Sequence, residues 1–230
     1  LGGHSMNYKQ SAVLLLAGAS FASLSSCSIL ENSLQGGQAF NIAAASTPEA
    51  SPPPSAEDRP ATRIMAIHVG GRMAEVELTL LNQPSLPFTT YFPAKDFKPQ
   101  SIASQAGTGI RLVYSPQGKP RSNTYVDIVQ PQQKATLDQL RDYVLDPQGL
   151  LAKNQWQLVD RTNIVSYPWV KEKLIYRQQT PNGTIEGAVY LGETEGQAFY
   201  LMTHYPEREI SRFESLGTIA LENLQFRDED

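Results

Sequence analysis

The chain has 230 residues, with 19 Lys and Arg against 23 Asp and Glu, a formal net charge of −4 and one Cys. Its apolar fraction of 40% can build a real core, which excludes wholesale disorder, and a lone Cys excludes an internal disulfide framework or a thiolate metal cluster. The acidic balance lacks the basic excess that phosphate neutralisation requires, so no nucleic acid partner is expected.

Leu1 to Ser5 carry no periodicity and are expected to lie upstream of the native start at Met6. Asn7-Tyr8-Lys9-Gln10 then form a short n-region with one positive charge, and Ser11 to Leu24 an apolar stretch rich in Leu, Ala and Val. That stretch has 14 residues, against the roughly 20 that cross a bilayer as a helix, so it reads as a signal h-region and not as a permanent span. It stops at Leu24-Ser25-Ser26-Cys27, where the sole Cys follows a triplet that resembles the lipobox of bacterial lipoproteins. The resemblance implies cleavage before Cys27, a diacylglyceryl group on its thiol and acylation of the new amino group. Two or more chains anchor far more firmly than one, because each buried methylene contributes about 0.8 kcal/mol. An ordinary secretory signal cut after Ala22 or Ser26, leaving a free thiol, is the alternative. From Ala43 to Thr62 come Pro48, Pro52, Pro53, Pro54 and Pro60 among Ser, Ala, Glu and Asp, a composition that stays extended and solvated. Residues 1–26 therefore read as leader, 27–62 as a lipid-anchored tether and 63–230 as one globular domain.

Ile64 to Val69, Gly70-Gly71 and Met73 to Leu81 alternate in the manner of a hairpin, the glycines supplying the positive φ of a tight turn. His68 falls on the face shared with Ile64 and Ala66 and reads as packed or turn-facing before it reads as a ligand. Phe88 to Phe92, Gly109 to Ser115 and Thr124 to Gln130 are β-branched and aromatic runs closed by Pro93, Pro116 and Pro131. Between the last two, residues 116–123 form a mobile basic loop with Lys119 and Arg121. Thr136 and Gln139 have capping-box spacing, with Leu137, Leu140 and Val144 on one helical face and Pro147 as the stop. Strands follow at 155–159, 169–178, 185–191 and 197–203, with Asn182-Gly183 as a hairpin signal. The near-continuous apolar run Ala198 to Met202 fits a strand buried on both faces. Ser211 and Glu214 suggest a second capping box, opening a helix with Phe213, Leu216 and Ala220 on one face. A strand covered on two sides implies helices on both, so the expected class is α+β with a central, mostly antiparallel sheet.

Gly196-Gln197-Ala198-Phe199-Tyr200-Leu201, Tyr205-Pro206-Glu207, Arg212-Phe213 and Leu221-Glu222-Asn223-Leu224-Gln225-Phe226 are similar to the end of PsbP-like domains. Phe88 to Pro93 corresponds to that family's early F-x-x-x-x-P strand, and the resemblance spans residues 85–230. It implies an α/β/α sandwich and a periplasmic or thylakoid-lumenal lipoprotein of photosynthetic bacteria that contacts or helps assemble membrane complexes without catalysis. The hairpin at 64–81 and the Pro-rich tether depart from the photosystem-associated members, and no functional residue carries over.

Catalytic signals are sparse. There is no Gly-x-Ser-x-Gly and no Walker-type loop, and Gly107-Thr108-Gly109 lacks the third glycine of a dinucleotide turn. His204-Tyr205-Pro206-Glu207-Arg208-Glu209 is the best polar constellation. An imidazole with two carboxylates can hold zinc only if all three converge, and the same segment also serves as a solvated turn or a partner contact. Tyr167-Pro168-Trp169 suits either core packing or an interface, where Trp and Tyr are enriched. Trp169, His204 and Tyr205 are accordingly the candidate protein-partner residues and Cys27 the lipidation site, with no catalytic residue, metal or cofactor assigned. The leading expectation is a membrane-anchored, non-catalytic lipoprotein that binds or assists assembly of a membrane protein complex. A module for a small apolar ligand or lipid, and a hydrolase or metal-dependent enzyme using His204, are the alternatives.

Lipidation has a direct test. In a lipidating host the wild type should carry the mass of diacylglyceride chemistry and enter the detergent phase, while Cys27→Ala remains aqueous; equal aqueous partition of both proteins contradicts the anchor.

Overall fold

The structure, a computed structural model, describes residues 58–69, 71–104 and 107–227. Cys27 and the stretches read above as leader and tether, up to residue 57, lie outside the described residues. Arg59, four residues before the expected domain boundary at residue 63, has a buried side chain.

β1 (Thr62–Val69) and β2 (Arg72–Leu81) form the expected hairpin, in register from Thr62↔Thr79 to Val69↔Arg72, with Gly71 at a φ of 78° in the turn. The alternation sorts its faces: Ile64, Ala66 and His68 point outward and are exposed, while Met65, Ile67 and Val69 pack on the core. β3 (Phe88–Phe92), buried throughout, pairs with β2 on one side and with β11 (Gln225–Phe226) on the other, giving a four-stranded antiparallel sheet ordered β1-β2-β3-β11.

The second sheet has seven strands. These are β4 (Phe97–Ser104), β5 (Gly107–Tyr114), β6 (Tyr125–Gln130), β7 (Gln157–Thr162), β8 (Val170–Thr180), β9 (Gly183–Thr194) and β10 (Gln197–Pro206). They pair antiparallel in the order β4-β5-β6-β10-β9-β8-β7. β10 therefore sits at the centre and is buried over most of its length, as its apolar run requires. β4 was not legible in the sequence, because Lys98, Pro99 and Gln100 break the apolar alternation on what proves to be an edge.

Between β6 and β7 run α1 (Leu137–Leu145) and the single turn α2 (Leu150–Lys153). The capping box forms as the spacing predicts: Gln139 N donates to Thr136 Oγ1 at 3.3 Å and Thr136 N donates to Gln139 Oε1 at 2.9 Å. The second capping box does not form. α3 (Ile210–Glu222) is entered from a 3-10 turn over Glu207–Glu209, which brings the chain in with helical dihedrals, and Ser211 lies inside the first turn. The basic loop at 116–123 is likewise held, since Arg121 Nη1 pairs with Glu209.

The expected α/β/α sandwich is overturned. Strands take up 51% of the described residues, and the fold is β-rich, built on two antiparallel sheets. α1 and α2 pack on one face of the large sheet, around Tyr200, Met202 and Val189. The other face is covered by α3 together with the small sheet, so β10 has its two-sided burial without a helical layer on each side. Cover from a sheet removes apolar surface from water as well as cover from helices does, and the inference from a doubly buried strand to two helical layers fails on that point.

α3 ties the sheets together. It packs against β1 and β3 of the small sheet and β6 and β10 of the large one. Its last carbonyls accept from both sides: Thr90 Oγ1 donates to Ala220 O at 2.7 Å and Trp169 Nε1 to Leu221 O at 3.1 Å. Arg59 completes the closure, donating from Nη2 to Asn223 O at 2.9 Å and from Nη1 to Thr89 Oγ1 at 2.8 Å, with its guanidinium 4.4 Å from the Tyr91 ring centre. Burial lowers the pKa of Arg59, yet its cation remains the natural mate of a helix C-terminus. Arg59→Ala should remove about 1–3 kcal/mol, read as a lower urea midpoint at unchanged slope. Arg59→Lys, whose ammonium lacks the fork that spans both acceptors, should recover only part of it; a midpoint equal to wild type in Arg59→Ala would show that the clamp contributes nothing.

Candidate functional site

Neighbouring residues on a strand face opposite ways, so His204 and Tyr205 cannot share a surface. His204 belongs to a cross-strand row, paired with Tyr125 of β6 and Gly187 of β9, which in turn pairs with Tyr176 of β8. Gly187 is what joins the row. A Cβ there would lie 2.4 Å from the Tyr176 ring, so only glycine lets that ring cross β9 and bring its hydroxyl to His204. Tyr176 Oη stands 2.9 Å from both Thr203 O and His204 Nδ1. The hydroxyl has one proton and gives it to the carbonyl; the proton between the two side chains must then sit on Nδ1, which donates to Oη. Rings close the remaining sides. Tyr125 stacks on the imidazole at 4.9 Å, and Trp156 lies over Tyr176 at 4.3 Å and beside His204 at 5.2 Å. Gln155, at a φ of 57°, turns the chain just before Trp156.

The imidazole is neutral in this box. Burial, and then the positive charge of Arg111, bring its pKa down to about 4. Arg111 itself forms a bidentate pair with buried Asp127, at 2.7 Å from both Nε and Nη2, and stacks 3.8 Å from the centre of the Tyr125 ring. Even with that partner, burial leaves the Asp127 pKa raised. At 8% exposure His204 is not available as a partner contact. The zinc-type alternative weighed for His204, Glu207 and Glu209 does not assemble: Glu209 pairs with Arg121, Glu207 is exposed, and among the described residues no three His, Cys, Asp or Glu are gathered for a metal.

Tyr205 and Trp169 lie on the opposite, α3-facing side. Trp169 is half-buried, rests over Gly192 beside Phe199 at 5.4 Å and stacks on Tyr167 at 5.9 Å, with its Nε1 committed to Leu221 O. Trp169 also stands 6.5 Å from Tyr190 on this side, so Trp169 and Tyr205 share the α3-facing side of the sheet and His204 lies on the other. Tyr205 packs on Phe213 at 5.0 Å and lines a cavity of about 160 Å³ between β8, β9, β10 and α3, together with Tyr190, Lys173, Glu214 and Thr218. Sequence reasoning missed those four, and the available signal was Ala188 on β9 and Gly217 on α3, small residues in otherwise filled elements.

The sheet edges differ in how they are guarded. β4 carries Lys98 and Pro99, and β7 is six residues long with Asp160, Arg161 and a register shift at Leu158/Asp160. β1 pairs only with β2 among the described residues, runs eight residues in unbroken register without Pro or bulge, and carries one charge, Arg63, which is turned inward onto Asn223 and the Tyr91 ring. Its outward Ile64 is 71% exposed.

No family model matches the chain, and no curated protein matches it. A crystal structure of a protein from Bacteroides thetaiotaomicron VPI-5482 is similar over 65% of this chain and 48% of that one, with 14% identity and a TM-score of 0.41. This chain spans about half of that protein's length, and nothing about activity follows from a likeness of that degree.

The His204 box sets a pH dependence. With a folded pKa of about 4, below the ordinary value of 6.5, its contribution is fully present above 6.5 and is lost as pH falls toward 4, where it reaches about 3 kcal/mol. Asp127, shifted the other way, opposes this at the acid end. Urea titrations from pH 8 to 4 should show the loss in wild type and a flatter curve in His204→Gln; coincident slopes would refute a neutral buried imidazole.

Proposed function

We propose that the chain is a lipid-anchored, extracytoplasmic domain that binds a protein of a membrane complex, taking an extended segment of that partner as an added strand beside β1. The observation that carries this reading is the unguarded edge. Proteins ordinarily blunt exposed edges with charge, proline or bulges because an open row of N–H and C=O groups pairs with any extended chain. Here the two ends of the large sheet are blunted by outward charge, proline or a register shift, whereas the outward row of β1 carries none of these and its one charge, Arg63, is turned inward. Main-chain bonds would give the affinity, and the outward row Ile64, Ala66 and His68 would read alternate side chains of the incoming strand.

Two further features support a binding role. The only His in a polar constellation is neutral, enclosed and hydrogen-bonded to Tyr176, which suits packing and not proton transfer at neutral pH. In sequence, β1 follows directly on the Pro-rich segment that links it to Cys27. The lipid alternative is less well supported: the cavity beside α3, about 160 Å³, holds one ring-sized molecule, and the larger clefts of about 500, 420 and 370 Å³ are lined by polar side chains such as Gln132, Lys134, Arg161 and Arg208, which do not suit an acyl chain.

Cross-linking of the lipidated protein in native membranes should capture a specific partner, and Ile64→Lys/Ala66→Lys should reduce capture at least about tenfold with an unchanged melting temperature. Val159→Lys on the β7 edge should leave capture intact. Equal capture by wild type and the β1 double variant would sink the proposal.

A further inference from the structure

The polar side chains of the large sheet are for the most part committed to one another. Glu172, buried, accepts from Arg141 and Arg161; Asp127 holds Arg111; Arg177 holds Glu186; Arg212 reaches Asp96. The cavity beside α3 breaks this pattern. The Tyr190 ring is buried, at 6% exposure, while its hydroxyl, with no hydrogen-bond partner among the described residues, stays open to water where the residue lines the cavity. The Tyr205 hydroxyl is in the same condition. Lys173 and Glu214 line the same space, from β8 and α3, and neither forms an ion pair or hydrogen bond among the described residues. The Lys173 ammonium stands 5.2 Å from the centre of the Tyr190 ring, and Glu214 adds to the burial that raises the pKa of both tyrosines, of Tyr205 to about 12. Phe213 supplies an apolar wall, and the small side chain of Ala188 leaves the floor open.

From this convergence we propose that the cavity is a binding site for a small zwitterion, an α-amino acid with a compact apolar side chain. The charges decide the class. A ligand carrying only a cation would suit Glu214 and face Lys173, and one carrying only an anion would do the reverse; opposite charges on one small molecule answer both. Its carboxylate goes to Lys173 with the tyrosine hydroxyls as donors, its ammonium goes to Glu214, and its side chain lies against Phe213. The volume decides the size, since about 160 Å³ is close to the engineered lysozyme cavity that takes benzene. A filled site replaces water on the two hydroxyls and the two charges with one set of complementary partners. This goes beyond the strand-pairing role of β1 and does not depend on it.

The test uses residues 27–230 with L-alanine, L-valine, L-leucine and L-phenylalanine as probes, each at up to about 10 mM, followed by saturation-transfer NMR and titration calorimetry. At least one should bind, while isopentylamine and 4-methylpentanoate, the two half-charged analogues of leucine, should not. Lys173→Gln and Glu214→Gln, both at the cavity rim, should each weaken binding about tenfold or more with an unchanged melting temperature, and Tyr190→Phe should weaken it to a lesser degree. Failure of all four amino acids to bind, binding of either analogue as tight as the amino acid, or wild-type affinity in both charge variants would each overturn the site. Ile64→Lys/Ala66→Lys should bind the amino acid as wild type does, so loss of partner capture and loss of this site are read separately.

Discussion

Burial of β10 on both faces is the constraint from which the rest of the structure follows. A central strand carrying Phe199, Tyr200, Leu201 and Met202 in succession must keep water from both sides, and each remaining element serves one side or the other. α1 and α2 lie over Tyr200 and Met202; α3 and the small sheet lie over Phe199 and Leu201. Two polar residues ride in the same strand and must be satisfied where they fall. The Thr203 hydroxyl takes the Ala188 N–H, and its carbonyl takes the Tyr176 hydroxyl that also receives the His204 proton. Backbone and side chain are thus closed into one network across three strands.

Glycine makes that closure geometrically feasible. Tyr176 crosses β9 at Gly187, and Trp169 crosses it at Gly192 on the opposite face, so the two aromatic bridges of the large sheet both run over a strand stripped of a Cβ. Flanking charge does a related task at the sheet's margins. Glu172, held by Arg141 of α1 and Arg161 of β7, joins the helical cover to the edge strand. Such pairs add little net stability after desolvation, but removing one partner would strand a buried charge, so they fix the arrangement they occur in.

Against this background of committed groups, two places among the described residues stand out as able to take a partner: the open edge of β1 and the cavity beside α3. They differ in kind. The edge offers an ordered row of main-chain groups, suited to another polypeptide, and the cavity offers two side-chain charges and two hydroxyls around a ring-sized space, suited to a small molecule. On the proposed reading, an anchor in the same membrane as the partner raises the effective concentration, so one added strand of contact is enough.

Local chemistry was legible in the chain by itself. The β1–β2 hairpin, the capping box of α1, the doubly buried run of β10 and the single Cys after Leu-Ser-Ser are all short-range patterns, set by φ preference, alternation or spacing. The covering layers were not legible, because apolar periodicity says that a face is buried and not what buries it; the small sheet, placed where a helix was expected, is the consequence. The sites divide in the same way. His204 and Tyr205 are adjacent in sequence and end on opposite faces, while Lys173, Tyr190 and Glu214 meet from three elements whose pairing register and helix docking no local pattern encodes. Chain neighbours were fixed by sequence, but convergence across strands was decided only when register and packing brought those side chains around one cavity.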